Sequence, residues 1–212
     1  MFHPDSPLVT FLTHAFNFVM VNLLFMLCCF PVVTIGAAWS ALYPVIANLV
    51  DDSSSSLGVF FETFREKFKT ATKLWLPCMI LYGLVITEVL FISNTYGSEA
   101  ALPSGGIIQI LLIVLCLLLF AVLCYAFPLI GMNDFTVKQA MSYSFYLAAS
   151  NPVETLVMTV LNILPAALFF LYPHLAAQLL PVWALFAYSS VTWIDCKLIK
   201  KILKKHTSET GH

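Results

Sequence analysis

Apolar residues dominate long stretches of this chain, and charged residues are confined to short segments between them. No charged residue lies between Glu99 and Asp134, and none lies between Glu154 and Asp195 apart from His174. About 20 apolar residues are enough to cross the hydrocarbon core of a bilayer as a helix. The pattern therefore predicts an all-α, polytopic transmembrane helix bundle that forms a single domain.

Five stretches are long enough to span a bilayer, and they cover residues 11–30, 74–95, 105–130, 152–172 and 175–194. We expect one helical domain over residues 1–205 and a polar C-terminal tail at residues 206–212. A further apolar stretch, Ala37 to Val50, follows a break at Pro31 and Gly36. Three alternatives stay open for it: a re-entrant segment, an interfacial helix or a sixth span.

The basic residues predict an orientation in the membrane. All ten Lys and Arg residues fall in three places: residues 65–73, residue 138 and residues 197–205. The positive-inside rule places all three, and with them the C-terminus, in the cytoplasm. Two spans fit between successive clusters. Five spans place the N-terminus outside and six place it inside, and we expect five.

Two amphipathic helices are predicted on the cytoplasmic face. Between Leu57 and Lys69 apolar residues recur at helical spacing, and charged residues take the opposite face. The second helix begins at a capping box formed by Thr136 and Gln139. It ends before Asn151, which we expect to cap the following helix.

Composition agrees with a membrane protein and argues against several functional classes. Hydrophobic residues make up 60% of the chain, charged residues 10%, and the mean hydropathy is +0.92. A net charge of −1 and few basic residues give no sign of a nucleic-acid partner. The six cysteines include no C-x-x-C pair, and the histidines lack metal-ligand spacing. Walker A and G-x-S-x-G motifs are absent. We therefore expect no metal, no cofactor, no catalytic residue and no enzymatic activity.

Glu88 is the strongest single candidate for a functional residue. It is the only carboxylate well inside a predicted span, where a charge must be neutralised, paired or exposed to water. It belongs either to a path for substrate, protons or cations, or to a structural hydrogen bond with a neighbouring helix. Asn22 and Asn162 are candidates for the same path, and helix–helix hydrogen bonds are the alternative for both.

A broken-helix motif is the second candidate, and it contains Pro31, Thr34, Gly36 and Tyr43. Pro blocks continuation of a helix, and Gly permits a positive φ. The break either contributes to a substrate path or forms a tight turn at the cytoplasmic interface, and we favour the turn.

Charged side chains at the cytoplasmic face are candidates for contact with a partner or with anionic lipid. The basic ones are Arg65, Lys67, Lys69 and Lys138. Two aspartates are expected at cytoplasmic helix ends, Asp134 as a cap and Asp195 paired with Lys197 or Lys138.

The stretch from Asn22 to Tyr43 reads NLLFMLCCFPVVTIGAAWSALY and resembles the signature of the YesL family of bacterial membrane proteins, also called DUF624. Residues 64–72, FREKFKTAT, resemble the family's second block, although Lys67 stands where an Asn is expected. The resemblance implies a bacterial inner membrane and five or six helices. It also implies an association with carbohydrate uptake, because such proteins tend to be encoded beside sugar-uptake and polysaccharide-degradation systems.

Two functions follow as hypotheses. The first is an accessory or permease-like component of carbohydrate uptake that works with ATP-driven sugar transport components. The second is a structural or regulatory protein that binds a partner through its cytoplasmic amphipathic helices. A polar cavity near Glu88 would favour the first, and a dry bundle with an exposed apolar cytoplasmic patch would favour the second. The lipid bilayer and a second copy of the chain are the other expected partners.

Overall fold

The computed structural model describes residues 7–51, 57–96, 105–172, 174, 178 and 183–209, and these residues contain helices and no strand. The helices are α1 (Pro7–Cys29), α2 (Ile35–Val50), α3 (Leu57–Tyr96), α4 (Gly105–Met132), α5 (Val137–Ser150), α6 (Pro152–Leu171) and α7 (Tyr188–Glu209). A 3₁₀ turn at Val32–Thr34 precedes α2, and a π-helical turn at Trp183–Ala187 precedes α7. The all-α class is therefore confirmed.

Within this part of the chain, four helical segments are long and apolar enough to cross a membrane: Leu12–Cys29, Val32–Val50, Leu57–Phe91 and Gln109–Met132. A fifth results if α5 and α6, which meet at 111°, are counted as one broken span. The spans predicted at residues 11–30 and 105–130 correspond to α1 and α4. The stretch predicted at residues 152–172 forms α6, which is counted as a span only together with α5. Much of the span predicted at residues 175–194 lies outside the described residues.

Helix α3 is continuous over 40 residues, from Leu57 to Tyr96. The sequence suggested a separate amphipathic helix ending at Lys69, and that boundary is wrong because no Gly or Pro lies between Lys69 and Pro77 to interrupt the helix. At 1.5 Å per residue the helix is about 60 Å long. That is roughly twice the thickness of a bilayer core, so a large part of α3 extends beyond any single crossing.

Helix α2 lies at the centre of the bundle. The apolar segment that contains it is 61% buried, against 17% for the segments of α1 and α3. Two glycines allow neighbouring helices to approach it closely. A Cβ at Gly36 would lie 2.7 Å from the Cβ of Trp75, and one at Gly131 would lie 2.0 Å from the carbonyl oxygen of Ser40. The stretch left open in the sequence is thus a central helix.

Helices α1 and α2 form an antiparallel hairpin around the 3₁₀ turn. His14 and Ala15, in the N-terminal half of α1, line the same small cavity as Leu49 near the end of α2. Asp51 follows α2 directly, and its Oδ2 accepts a hydrogen bond from Lys200 Nζ of α7 at 2.6 Å. The N-terminal half of α1 therefore points toward the same end of the bundle as the lysine-rich end of α7.

The junction between α5 and α6 was partly predicted. The capping box is confirmed, because Thr136 Oγ1 accepts from Gln139 N and Gln139 Oε1 accepts from Thr136 N. Pro152 occupies the first turn of α6 as expected. Asn151 is the N-cap residue of α6, as predicted, but its side chain makes no cap hydrogen bond. Its Nδ2 instead donates backward to the carbonyl of Leu147 at 3.1 Å, at the end of α5.

Candidate functional site

A buried carboxylate lies where α2, α6 and α7 meet. Asp195 of α7 has no exposed surface. Its Oδ2 accepts hydrogen bonds from Tyr43 Oη of α2 at 3.1 Å and from Asn162 Nδ2 of α6 at 2.7 Å. Its Oδ1 has no hydrogen-bond partner among the described residues. One carboxylate thus joins three helices and keeps an acceptor atom unpaired in the interior.

The predicted place of Asp195, at a cytoplasmic helix end beside a lysine, is wrong. Helix α7 runs from Tyr188 to Glu209, so Asp195 lies within the helix and its side chain faces the bundle. Residues two positions apart on a helix do not face each other. Accordingly, Lys197 points elsewhere, with its Nζ 3.3 Å from the centre of the Trp193 ring.

The spacing of the residues along α7 is the signal that would have identified Asp195 as a buried residue. Its buried residues recur at spacings of three or four, which marks one helix face. They are Ser189, Thr192, Asp195, Cys196, Ile199 and Ile202. Because the last turns of that face are apolar, an aspartate on it requires hydrogen-bond donors from other helices.

Two of the predicted site residues, Asn162 and Tyr43, belong to the Asp195 cluster, but Asn22 does not. Asn22 is also fully buried, and its Oδ1 accepts from the backbone amide of Ser189 at 2.9 Å. Ser189 Oγ donates to the carbonyl of Phe18 at 3.1 Å. Asn22 therefore joins α1 to the first turn of α7, as the structural alternative for it predicted.

Glu88 lies on α3, apart from these polar groups. Its side chain is half-buried, and the residues around it on the helix, including Leu84, Leu90 and Phe91, are exposed. No hydrogen bond or ion pair in the described part of the chain joins Glu88 to Asn22 or Asn162. The three candidates for a common path are therefore not brought together.

A cavity of about 420 Å³ opens beside the Asp195 cluster, and its volume lies in the usual range for small-molecule sites, about 300–1,000 Å³. It lies between α1, α2, α4, α6 and α7. Its lining residues are Phe25, Met26, Cys29, Phe30, Ile35, Trp39, Phe120, Asn162, Ile163, Ala166 and Tyr188. None of them is charged, and Asn162 carries their only amide side chain. The cavity is therefore a largely apolar space, and the polar side-chain groups of its described lining residues are the Asn162 amide, the Tyr188 hydroxyl, the Trp39 indole N–H and the Cys29 thiol.

The broken-helix motif satisfies its own backbone. The Thr34 hydroxyl donates to the carbonyls of Cys28 and Pro31, and the indole of Trp75 donates to the carbonyl of Val32 at 2.8 Å. Gly36 lies inside α2, and its role is close contact with α3 rather than the positive φ that was considered. The break thus needs no water to satisfy these three carbonyls.

The four basic candidates have different surroundings. Arg65 and Lys69 are exposed and line a groove of about 480 Å³ with Phe61, Phe64 and Phe68. Lys138 is exposed near the start of α5.

Lys67 is largely buried by its ion pairs with Glu66 and Asp134. The Lys67 ammonium lowers the pKa of the Asp134 carboxyl below its usual value through their hydrogen bond. Asp134 is therefore an ion-pair partner of α3, and Thr136, not Asp134, caps α5.

In the part of the chain that the structure describes, these features define an all-helical protein with four helices able to cross a membrane, or five spans if the bent pair α5–α6 is counted as one. Comparison with known proteins shows which proteins the chain is similar to. A family model described as "Protein of unknown function, DUF624" matches residues 18–89. The chain is 29% identical over 100 residues to "Uncharacterized protein YesL" of Bacillus subtilis (strain 168), a match that covers 47% of this chain and 44% of that relative. No solved structure matches significantly. The resemblance read from the PVVTIG block is confirmed: the chain is similar to the DUF624, or YesL, proteins over this part of its length.

Proposed function

We propose that this protein is a non-enzymatic accessory component of carbohydrate uptake in the bacterial cell membrane, and that it works by binding a partner at its cytoplasmic end. The apolar cavity is the observation that carries this choice over a sugar permease. A sugar in a low-dielectric site needs a hydrogen-bond partner for each buried hydroxyl, because an unpaired one costs free energy. The described lining residues offer one amide at Asn162, one hydroxyl at Tyr188, one indole N–H at Trp39 and no charge, which is few groups for the many hydroxyls of a sugar.

The surface available to a partner lies on the first half of α3 and on α5. Phe61 is 52% exposed beside Arg65 and Lys69. Phe145 and Tyr146 of α5 are also more than half exposed. Exposed aromatic groups next to arginine are typical of protein–protein interfaces. The two functional hypotheses are therefore compatible, because an accessory of carbohydrate uptake can bind its partner through the cytoplasmic helices.

The choice of carbohydrate rests on the family resemblance alone. The proposed partner is an ATP-driven sugar transport component, since the chain has no nucleotide-binding loop of its own. An apolar side chain flanked by acidic groups would complement Phe61, Arg65 and Lys69.

For the membrane topology we propose that the C-terminus and the N-terminus are both cytoplasmic. The α1–α2 hairpin carries the N-terminal half of α1 toward Asp51 and Lys200. This geometry supports a cytoplasmic N-terminus, in place of the outside position that we expected from the sequence.

The experiment is affinity purification of the tagged full chain from native membranes, with identification of co-purified proteins. We expect an ATP-binding subunit or a sugar-binding protein to be recovered with the wild type. Phe61→Ala should reduce that recovery several-fold. Glu62→Ala is the matched control, because Glu62 is exposed and adjacent on α3, and it should leave recovery unchanged.

Two results would overturn the proposal. Equal recovery of the partner with Phe61→Ala and with the wild type would show that the partner does not bind at the surface around Phe61. Uptake of a labelled oligosaccharide into vesicles that contain only the purified protein would show that it is itself a permease.

A further inference from the structure

We propose that the cavity beside Asn162 binds the hydrocarbon chain of an uncharged amphiphile whose hydroxyl group donates to Asn162 Oδ1. The proposal is independent of the partner surface on α3 and α5, and it rests on three features: the walls of the cavity, the orientation of the Asn162 amide, and its depth in the bundle.

The walls of the cavity select a hydrocarbon chain. Its residues come largely from helices long and apolar enough to cross a membrane, so membrane lipid is the surrounding medium. Met26 is 37% exposed and Phe30 is 90% exposed at the edge of the cavity, which leaves an apolar entry from the side. Aromatic and aliphatic side chains fill the rest of the lining, and they provide contacts for methylene groups but few for a polar molecule.

The Asn162 amide can face in only one direction. Its Nδ2 donates to Asp195 Oδ2 at 2.7 Å and to the carbonyl of Met158 at 2.9 Å. Both partners are acceptors, so the amino group must face them. Oδ1 has no hydrogen bond with any described residue, and it is therefore the amide atom available to an occupant. An acceptor at this position selects a ligand that donates, such as an alcohol, over one that only accepts, such as an ether.

The depth of Asn162 excludes a charged headgroup. Glu154 near the start of α6 pairs with Lys201 at 3.6 Å, and Asn162 follows two turns later on a 20-residue helix. At 1.5 Å per residue it lies about 15 Å from the start of α6, near the middle of a bilayer core about 30 Å thick. A phosphate or ammonium group at that depth would be costly without a counter-charge. No described lining residue supplies one, and the Asp195 carboxylate behind Asn162 does not line the cavity.

The test uses a long-chain alcohol that carries a photoreactive diazirine in its chain, added to the full-length protein in vesicles of zwitterionic lipid. We expect the label on residues 25–30 and 162–166 by mass spectrometry. The unlabelled alcohol should compete about three- to ten-fold better than its methyl ether, as expected for the loss of one neutral hydrogen bond. Phosphatidylglycerol should compete no better than the ether.

A variant pair separates specific binding from lipid that coats the helices. Ala166→Trp fills the cavity and should reduce labelling at least five-fold. Val160→Trp is the control, because Val160 is 53% exposed on the same helix and does not line the cavity. Asn162→Leu should abolish the preference for alcohol over ether while hydrocarbon labelling persists. Equal labelling of the two Trp variants, or equal competition by alcohol and ether in the wild type, would overturn the proposal.

Discussion

Single residues of this protein combine stability with chemical selectivity, and Asp195 shows how. An uncompensated carboxylate inside a helix bundle would be costly. Asp195 is tolerated because the hydroxyl of Tyr43 and the amide of Asn162 both donate to it. The same hydrogen bond fixes the amide of Asn162, a residue that lines the cavity. Asp195, which does not line the cavity, therefore holds in place the amide of Asn162, which does.

Replacement of the Asp195 carboxylate should distinguish the loss of its charge from the loss of its acceptor atoms. Asp195→Leu leaves the Tyr43 hydroxyl and the Asn162 amide buried without this partner, at a cost of about 1–3 kcal/mol for each group. Asp195→Asn keeps one carbonyl oxygen that accepts from both. We expect the melting temperature of the purified protein in detergent to fall clearly for Leu and much less for Asn. Equal losses for the two variants would contradict this role.

Close packing at Gly131 gives a second test at this scale. A Cβ there would lie 2.0 Å from the backbone oxygen of Ser40, and a backbone atom cannot easily move away. Gly131→Ala should therefore destabilise the fold by about 1–3 kcal/mol. Gly83 of α3 has nothing within 4 Å of the same position, so Gly83→Ala should be neutral or stabilising by up to about 1 kcal/mol. Thermal melts of the two proteins would compare these effects, and a stable Gly131→Ala would show that α2 and α4 are further apart.

The helix ends of this chain that the sequence predicted correctly are those marked by a local signal, such as a capping residue or a proline. The capping box at Thr136 and Gln139 and the proline at the start of α6 are local signals, and both were read correctly. The length of α3 was misread, because a change from polar to apolar residues does not interrupt a helix. The sequence did not decide whether α2 is re-entrant, interfacial or a span. Its burial results from contacts with four neighbouring helices, and these contacts cannot be read from the residues of α2 alone.

The break between α1 and α2 provides the test for this scale. Thr34→Val keeps the shape of the side chain but removes the hydroxyl that serves the carbonyls of Cys28 and Pro31. We expect a loss of about 1 kcal/mol, in the range of ordinary hydrogen bonds, seen as a lower melting temperature. Thr34→Ser keeps the hydroxyl and should lose less. A Val variant as stable as the wild type would mean that water or lipid headgroups satisfy those carbonyls.

At the scale of the whole molecule, the described residues form ion pairs at helix ends, and the cavity beside Asn162 lies among apolar helices. Lys67 pairs with Asp134, Lys200 with Asp51, and Lys201 with Glu154. Each pair has one strongly solvent-exposed partner, and such pairs add little to stability. They therefore indicate which helix ends lie together and do not hold them there. They join the ends of α4, α2 and α6 to the lysine-bearing parts of α3 and α7.

The candidate site shows why sequence reasoning reached the membrane bundle but not the polar cluster. A membrane-spanning helix is a contiguous apolar stretch, so it can be recognised from the sequence alone. The partners of Asp195 are 33 and 152 residues away along the chain, and only helix packing brings them together. Tyr43 and Asn162 were selected as polar exceptions in apolar stretches, whereas Asp195 was misplaced because its neighbours are lysines.

The central claim is that lipid surrounds these helices and that all lysine-rich ends face one compartment. The most direct measurement is labelling of single cysteines with a membrane-impermeant maleimide, in intact cells and in inverted vesicles, in a background without the native cysteines. The positions are Asp134, Lys201 and Tyr172, all exposed. Tyr172 follows a helix about 30 Å long that starts beside Lys201. We predict labelling of Asp134→Cys and Lys201→Cys only from the cytoplasmic side and of Tyr172→Cys only from the outside. Labelling of all three from one side would contradict the account.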